Sequence, residues 1–387
     1  MAGNDTTRRR VLLLEQGEGL WGAQQSLNRL APLLEELGFE QILAGPSGPL
    51  ARAWQAAGRR YEHVPAPATR SIRGRSGRLS VWRAGRELAR TAASAVRIAR
   101  IARANRVDVI VANNHWSHLE GVAAGRLARV PVVLHLNTQH KNDALGRLRR
   151  IAVMKAARTV AVSDSIRRAL PTAARERVDV VRNGTVAVAA VPESTLDRLR
   201  EELGTRDRRV VLALARYERE KGLDDLVNAV ATLPDGFEDV CLVLAGGSRE
   251  DDSHEVYLRR LARERVPGRA QFLGFRDDAQ ELLALADVCA IASHDEGLPL
   301  VALEAQAAGC PLVAAAVGGI PEVVEHEVSG LLFPPGDVER MSSELARVLS
   351  DPDLRERLRR NGLARVAVAG TLERQAASFA KILHSVD

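Results

Sequence analysis

The sequence predicts an α/β fold of two doubly wound parallel-sheet domains facing a cleft. Three observations predict it. The chain has 387 residues, more than one hydrophobic core comfortably organises and an ordinary size for two domains. Its 46% hydrophobic and 27% charged residues have the balance of a folded soluble protein, which excludes disorder, collagen and a disulfide scaffold. Short β-branched apolar runs alternate with helical patterns from end to end, as expected of parallel strands whose crossovers cover both faces of a sheet.

In the first half, strands are expected at Val11–Glu15, Gln41–Ala44, Tyr61–Val64, Val107–Ala112, Val130–Leu136, Thr159–Val162 and Val178–Val181. In the second half they are expected at Val210–Ala215, Val240–Ala245, Ala270–Leu273, Val288–Ala292, Pro311–Ala315 and, more briefly, Leu331–Phe333. The intervening segments carry the helical period, and consecutive helices close the chain from Val338 onward. Thr185–Ser194, rich in small residues and containing Pro192, is the expected linker. The expected domains are therefore residues 1–186 and 187–370, with 371–387 a closing helix that crosses back to the first. In each doubly wound sheet, ligands belong beyond the carboxyl ends of the strands.

Composition narrows the chemistry. The formal charge is +6, and of 55 basic residues only Lys141, Lys155, Lys221 and Lys381 are lysine. A lone arginine is therefore uninformative here, while a lysine at a motif carries some weight. Cys241, Cys289 and Cys310 form no C-x-x-C pair and each lies in an apolar run, which argues against a disulfide frame, a dithiol or a zinc site. The apolar run Val11–Leu14 is too short for a signal peptide, and no stretch approaches the roughly 18 apolar residues of a membrane span. A cytoplasmic protein is expected.

Three segments carry chemistry. Gly17-Glu18-Gly19-Leu20-Trp21-Gly22 follows the first strand and matches G-x-G-x-x-G, but the second strand ends Leu43-Ala44-Gly45-Pro46, without the acid a dinucleotide ribose needs. What survives is either a glycine turn offering amides to an anion at a helix start or a plain strand-to-helix turn. Arg216 and Lys221 lie just past the strand that opens the second half, where a guanidinium and an ammonium could neutralise a diphosphate. Solvated surface charge is the alternative. In Ser293-His294-Asp295-Glu296-Gly297-Leu298-Pro299-Leu300, continuing to Glu304, a strand ends, an acid–glycine loop follows, and Pro299 suits a helix's first turn. The amides of Gly297 to Leu300 would then face a ligand with the positive helix end. Glu296 and Glu304 would face sugar hydroxyls, since carboxylates repel phosphate. Glu304 in the apolar stretch Leu300–Ala308 is more than a routine surface acid, because an unpaired charge there is costly.

With these residues the sequence resembles the retaining glycosyltransferases of family 4, whose GT-B fold pairs two Rossmann-like domains. The resemblance rests on Gly19–Ala23, Ala215-Arg216 through Lys221-Gly222, Phe272-Leu273-Gly274 and the Glu-x7-Glu spacing of Glu296 and Glu304. It continues through Ala308-Gly309-Cys310-Pro311, Val317-Gly318-Gly319-Ile320-Pro321-Glu322 and Gly330–Asp337. In the first half it rests on the glycine turn, His135 and Arg182-Asn183-Gly184. Ala215, Gln306 and Gly246-Gly247-Ser248 depart from the family's common residues without touching the charged ones.

The resemblance implies an acceptor-binding first domain, a donor-binding second domain, and sugar transfer from a nucleotide diphosphate sugar to a hydroxyl of a glycolipid, polysaccharide or natural product. Arg216 and Lys221 would bind the diphosphate and stabilise the charge growing on the leaving group. Glu304 would accept from the ribose and Glu296 from the transferred sugar, and Gly297, Leu298, Pro299 and Leu300 would line the donor with help from Gly22. His135 would stand near the reacting sugar. No metal and no further cofactor would be needed. The literal D-x-D, Asp351-Pro352-Asp353, reads as a helix cap followed by a first-turn proline. A nucleotide-sugar epimerase of related fold and a non-catalytic sugar-nucleotide-binding protein are the rival readings.

Residues 67–106 hold eleven arginines against Glu87 alone, so this stretch carries +10 and the rest of the chain is acidic. Arg83, Arg86, Arg90 and Arg97 fall on one helical face and Leu88, Ala92, Ala95 and Ala99 on the other. With only Trp82 to stack on bases, nucleic acid is not expected. Arg70, Arg73, Arg75 and Arg78 are expected to border the acceptor site or to touch an anionic membrane at its inner face, the alternative being a solvated basic face.

Overall fold

Alternating apolar runs and amphipathic helices build two parallel sheets in the computed structural model, which describes residues 8–17, 19–66, 81–140, 144–248 and 252–386. The chain divides into two units, residues 1–182 with 372–387, and residues 183–371.

Unit 1 runs β1 (Arg9–Leu14), α1 (Gly22–Glu36), β2 (Phe39–Gly45), α2 (Pro49–Ala56), β3 (Arg60–His63), α3 (Val81–Ala104), β4 (Val109–Ala112), α4 (His118–Ala128), β5 (Val132–Leu136), α5 (Ala144–Lys155), β6 (Arg158–Ala161), α6 (Asp164–Arg168), α7 (Thr172–Arg175) and β7 (Val178–Val180). Its seven strands lie in the order β3-β2-β1-β4-β5-β6-β7, all parallel. The central strands β1 and β4 are buried along their apolar lengths, as a sheet covered on both faces requires.

Unit 2 runs α8 (Glu193–Glu202), β8 (Val210–Leu214), α9 (Leu223–Ala231), β9 (Cys241–Ala245), α10 (Ser253–Arg265), β10 (Ala270–Gly274), α11 (Ala279–Leu285), β11 (Val288–Ile291), α12 (Leu300–Ala307), β12 (Leu312–Ala315), α13 (Ile320–Val323), β13 (Leu331–Phe333), α14 (Val338–Ser350) and α15 (Pro352–Ala369). Its strand order is β10-β9-β8-β11-β12-β13. The core packs Val211, Leu242, Leu244 and Val313 of the sheet against Leu226, Val230, Met341 and Leu345 of the helices.

The closing helix α16 (Leu372–His384) belongs to unit 1. Gln375 Nε2 there donates to Ser26 Oγ of α1 at 3.3 Å, and Phe379 stands 5.5 Å from the His135 ring. Asp351 proves to be the cap of α15, its carboxylate accepting from the Leu354 N–H at 2.9 Å, with Pro352 opening the helix.

Three expectations need correction. The linker does not begin at Thr185: this residue is buried, donates its N–H to Gly370 at 2.8 Å and bridges Thr371, so it belongs to unit 2. Pro299 precedes α12 as its cap residue and does not sit in the first turn. The apolar face of α3, expected to pack along Leu88, Ala92, Ala95 and Ala99, is covered at only part of these positions. Ala95, Ile98, Ala99 and Ala102 are buried, whereas Leu88 is 72% exposed and Ala92 lies open. Arg70, Arg73, Arg75 and Arg78 lie outside the described residues. Among the described residues no helix is long and apolar enough to cross a membrane.

Candidate active site

The strand order of unit 2 reverses between β8 and β11, whose next neighbours lie on opposite sides, and such a reversal opens a crevice beyond the carboxyl ends. Val288 and Cys289 of β11 lie opposite Val211 and Leu212 of β8, so the loops leaving these strands emerge side by side. Those loops carry Arg216 to Gly222 and Ser293 to Pro299. They touch directly: the His294 N–H donates to the Glu220 carbonyl at 2.9 Å. Gly222 has a left-handed backbone (φ 60°), and a Cβ on it would lie 2.1 Å from the Ala292 carbonyl oxygen. Glycine is the residue that permits this approach.

Lys221 Nζ lies 2.7 Å from Glu296 Oε1, and Ser293 Oγ donates to that same oxygen at 2.7 Å. The lysine and glutamate side chains are only 15% and 10% exposed, so the pair is largely removed from solvent. Arg216 is ion-paired with Glu218 and reaches Glu220 at 3.1 Å. Burial would raise the Glu220 carboxyl, but Arg216 and Lys221 beside it prevail and hold it below the usual range. Two cations and three carboxylates thus share one crevice. At its edge His294 Nε2 lies 3.0 Å from Asp225, whose carboxyl burial and Asp224 push up despite the histidine.

The start of α12 has no side-chain cap; the Ala302 N–H turns back to the Pro299 carbonyl at 3.2 Å, and the amides of Leu300 and Val301 precede the first i→i−4 bond of the helix. Its loop is held by backbone contacts. Asn183 Nδ2 donates to the Leu298 carbonyl at 3.0 Å, and the Gly319 N–H donates to the Gly297 carbonyl at 2.9 Å. Gly318, also left-handed, comes so close that a Cβ would sit 1.8 Å from the Glu296 carbonyl oxygen. Gly297, Leu298 and Leu300 are buried, and Pro299, lacking an N–H, contributes shape alone. Across residues 300–308 the incompletely buried positions are Val301, Glu304 and Ala308. Glu304 therefore sits on the one stripe of α12 that is open, near enough to Cys289 to add to the burial that pushes this thiol up to about 12.

His135 and Gly22 belong to unit 1. Gly22 opens α1, is exposed, and a Cβ there would meet nothing within 4 Å, so packing gives no reason for glycine. His135 on β5 is buried, its Nδ1 lies 2.9 Å from Asn113 Oδ1, and burial pulls it down to about 4. It is a neutral imidazole at neutral pH. Asn183, Ser293 and Gly318 were not among the predicted site residues. Asn183 and Gly318 stand in motifs the sequence had already set apart, but their partners lie far along the chain.

Two family models match the chain, one described as Glycosyltransferase Family 4 over residues 22–188 and one as Glycosyl transferases group 1 over residues 197–365. Alpha-D-kanosaminyltransferase of Streptomyces kanamyceticus is 28% identical over 257 residues, 61% of this chain and 66% of that protein. D-inositol 3-phosphate glycosyltransferase of Saccharomonospora viridis is 39% identical over 176 residues, 42% of this chain and 39% of that protein. The chain thus spans two-thirds or less of the length of these relatives. Among solved structures, Anabaena HepE in complex with UDP-glucose superposes with a TM-score of 0.84 at 24% identity, covering 97% of this chain and 99% of that one. The likeness is one of fold, GT-B with two Rossmann-like domains.

Proposed function

The chain belongs to the family 4 glycosyltransferases, and we propose that it moves a sugar from a nucleoside diphosphate sugar to an acceptor hydroxyl with retention at the anomeric carbon. The observation that carries this reading is the crevice of unit 2, where Arg216 and Lys221 stand among Glu218, Glu220 and Glu296 beside the uncapped start of α12. A diphosphate entering there would take over the two cations and the first-turn amides. Glu296, released from Lys221 or sharing it, would accept hydroxyls of the sugar, and Glu304 those of the ribose. The relative solved with UDP-glucose supports a nucleotide-sugar donor, and the first domain would take the acceptor.

In the proposed step the bond from the anomeric carbon to the phosphate oxygen breaks, and its electron pair leaves with the diphosphate. The acceptor oxygen bonds to the same face of that carbon, and its proton passes to the departing phosphate oxygen. Arg216 and Lys221 stabilise the growing negative charge in place, which is commonly the largest catalytic contribution. This division of labour needs no metal.

Incubation with labelled nucleotide sugars tests the proposal. Transfer that begins only when a hydroxyl acceptor is supplied is the expected result. Epimerised donor without acceptor, or tight binding with no turnover across an acceptor panel, would overturn it. A companion proposal places Arg70, Arg73, Arg75 and Arg78 beside a phosphate-bearing acceptor or an anionic membrane at its inner face. It is abandoned if neutralising all four changes neither acceptor kinetics nor liposome binding.

A further inference from the structure

Glu15 and Asn113 stand at the ends of β1 and β4, the two strands between which the order of the first sheet reverses. Leu14 lies opposite Ala112 and the Asn113 N–H donates to the Leu14 carbonyl at 3.0 Å, so the next residues of the two strands meet side by side. Glu15 is 1% exposed, and N–H donors point at both of its oxygens. Oε1 accepts from the Gly17 N–H at 2.6 Å, from Gln24 Nε2 at 3.2 Å and from Asn114 Nδ2. Oε2 accepts from Asn113 Nδ2 at 2.7 Å. That arrangement suits acceptor oxygens alone.

The direction of every other bond follows. An ionised Glu15, which its three N–H donors on Oε1 favour, can only accept at Oε2, so Asn113 turns its NH2 toward it, for the opposite amide orientation would set two acceptor oxygens 2.7 Å apart. The Asn113 oxygen then faces His135 Nδ1 at 2.9 Å and can only accept. His135 must therefore carry its proton on Nδ1. The backbone on either side is pinned as well: His118 Nε2 lies 3.1 Å from the His135 carbonyl, and Asn137 Nδ2 donates to the Asn113 carbonyl. Among the described residues, His135 Nε2 is buried without a partner.

We infer that Glu15 and Asn113 are positioning residues that lock His135 in its Nδ1–H tautomer, leaving Nε2 an unprotonated acceptor for a ligand hydroxyl. The inference rests on the reading of His135 as part of the transferase site. It deepens that reading by fixing which way the imidazole hydrogen bonds: it receives a hydroxyl proton and does not offer one. The logic is that of a carboxylate orienting a catalytic imidazole, with an asparagine amide interposed.

The polarity of the relay can be inverted. In Glu15→Gln, the side-chain oxygen keeps the three donors on the Oε1 side, but an NH2 replaces Oε2 and meets the NH2 of Asn113. Relief comes when Asn113 flips, which presents a donor to His135 Nδ1 and moves the imidazole proton to Nε2. Adding Asn113→Asp restores an acceptor to both neighbours and returns the proton to Nδ1. The test is long-range proton–nitrogen correlation spectra of the full chain labelled with nitrogen-15 histidine, with His135 assigned by its absence in His135→Asn. Wild type should show protonated Nδ1, Glu15→Gln protonated Nε2, and the double variant protonated Nδ1 again. In turnover assays kcat should fall about 10- to 100-fold in Glu15→Gln with donor KM changed little, and recover in the double variant. Protonated Nε2 in wild type, an unchanged tautomer in Glu15→Gln or no restoration in the double variant would overturn the inference. The wild-type spectrum decides even if a variant fails to fold. The tautomer is read without turnover, so a chain that transfers no sugar refutes the proposed function and leaves this result standing.

Discussion

Lys221 and Glu296 show how one pair can serve both structure and chemistry. At 2.7 Å and mostly buried, each satisfies the charge of the other, and removing either leaves its partner uncompensated. We expect Lys221→Ala and Glu296→Ala each to lower turnover about 10²- to 10³-fold, the range for losing one preorganised charge contact, with circular dichroism unchanged. Near-normal kcat in both variants would refute the mechanism. Lys221 was legible because lysine is rare in this chain and this one falls in a post-strand loop. Glu296 was legible too, from its acid–glycine loop, but the pairing of the two was not, since 75 residues separate them and no local pattern joins them. Histidines carry a second prediction at this scale. Burial pulls His135 down to about 4, and burial with Arg149 and Arg150 does the same to His140. With folded values below the unfolded value near 6.5, the stability they contribute is complete above pH 6.5 and is lost as pH falls from there toward 4. Each contributes a slope of about 1.4 kcal/mol per pH unit in that window. The thermal midpoint should therefore drop between pH 6.5 and 4.5, and less steeply in His140→Gln.

Helix α12 and its loop form the element on which the site depends. The helix is short and almost wholly apolar, so sequence pattern alone would make it a core helix. Its open stripe with Glu304 appears only once its neighbours cover the other faces. The loop before it is held by Asn183, Gly318 and Gly319 through backbone carbonyls. Asn183→Ala should leave the buried Leu298 carbonyl unsatisfied and cost about 1–3 kcal/mol, read as a lower denaturation midpoint of unit 2. Gly318→Ala should be worse for turnover than for folding, because the strain falls on the Glu296 backbone. It is checked by comparing kcat with the thermal midpoint. A Gly318→Ala enzyme of wild-type activity would show that the loop's position is unimportant. The D-x-D at Asp351 illustrates the opposite outcome. A motif that invites a metal reading is a helix cap, and local capping chemistry was sufficient to identify it.

For the whole molecule, the fold reduces to two sheets with one reversal of strand order each, and each reversal carries a polar cluster. In unit 2 it gathers Arg216, Lys221 and Glu296, and in unit 1 it gathers Glu15, Asn113 and His135. If the cations of unit 2 hold the donor, nucleoside diphosphates should raise the thermal midpoint. At a concentration of about 100 Kd the stabilisation is about 2.7 kcal/mol, a shift that nucleosides without phosphate should not reproduce. Transfer should persist in EDTA, and a loss restored by a divalent cation would show that Arg216 and Lys221 do not suffice. The amino-acid sequence by itself determined the α/β class, the strand positions, the glycine turns and the charged motif residues, because hydrophobic period, turn chemistry and loop position are local properties. Only the tertiary structure decided that Lys221 meets Glu296, that Asn183 and Gly318 hold the loop, and that Asn113 stands between Glu15 and His135. Those contacts join residues tens to more than a hundred positions apart, and parallel strand order, set by packing of the whole sheet, is what brings them together.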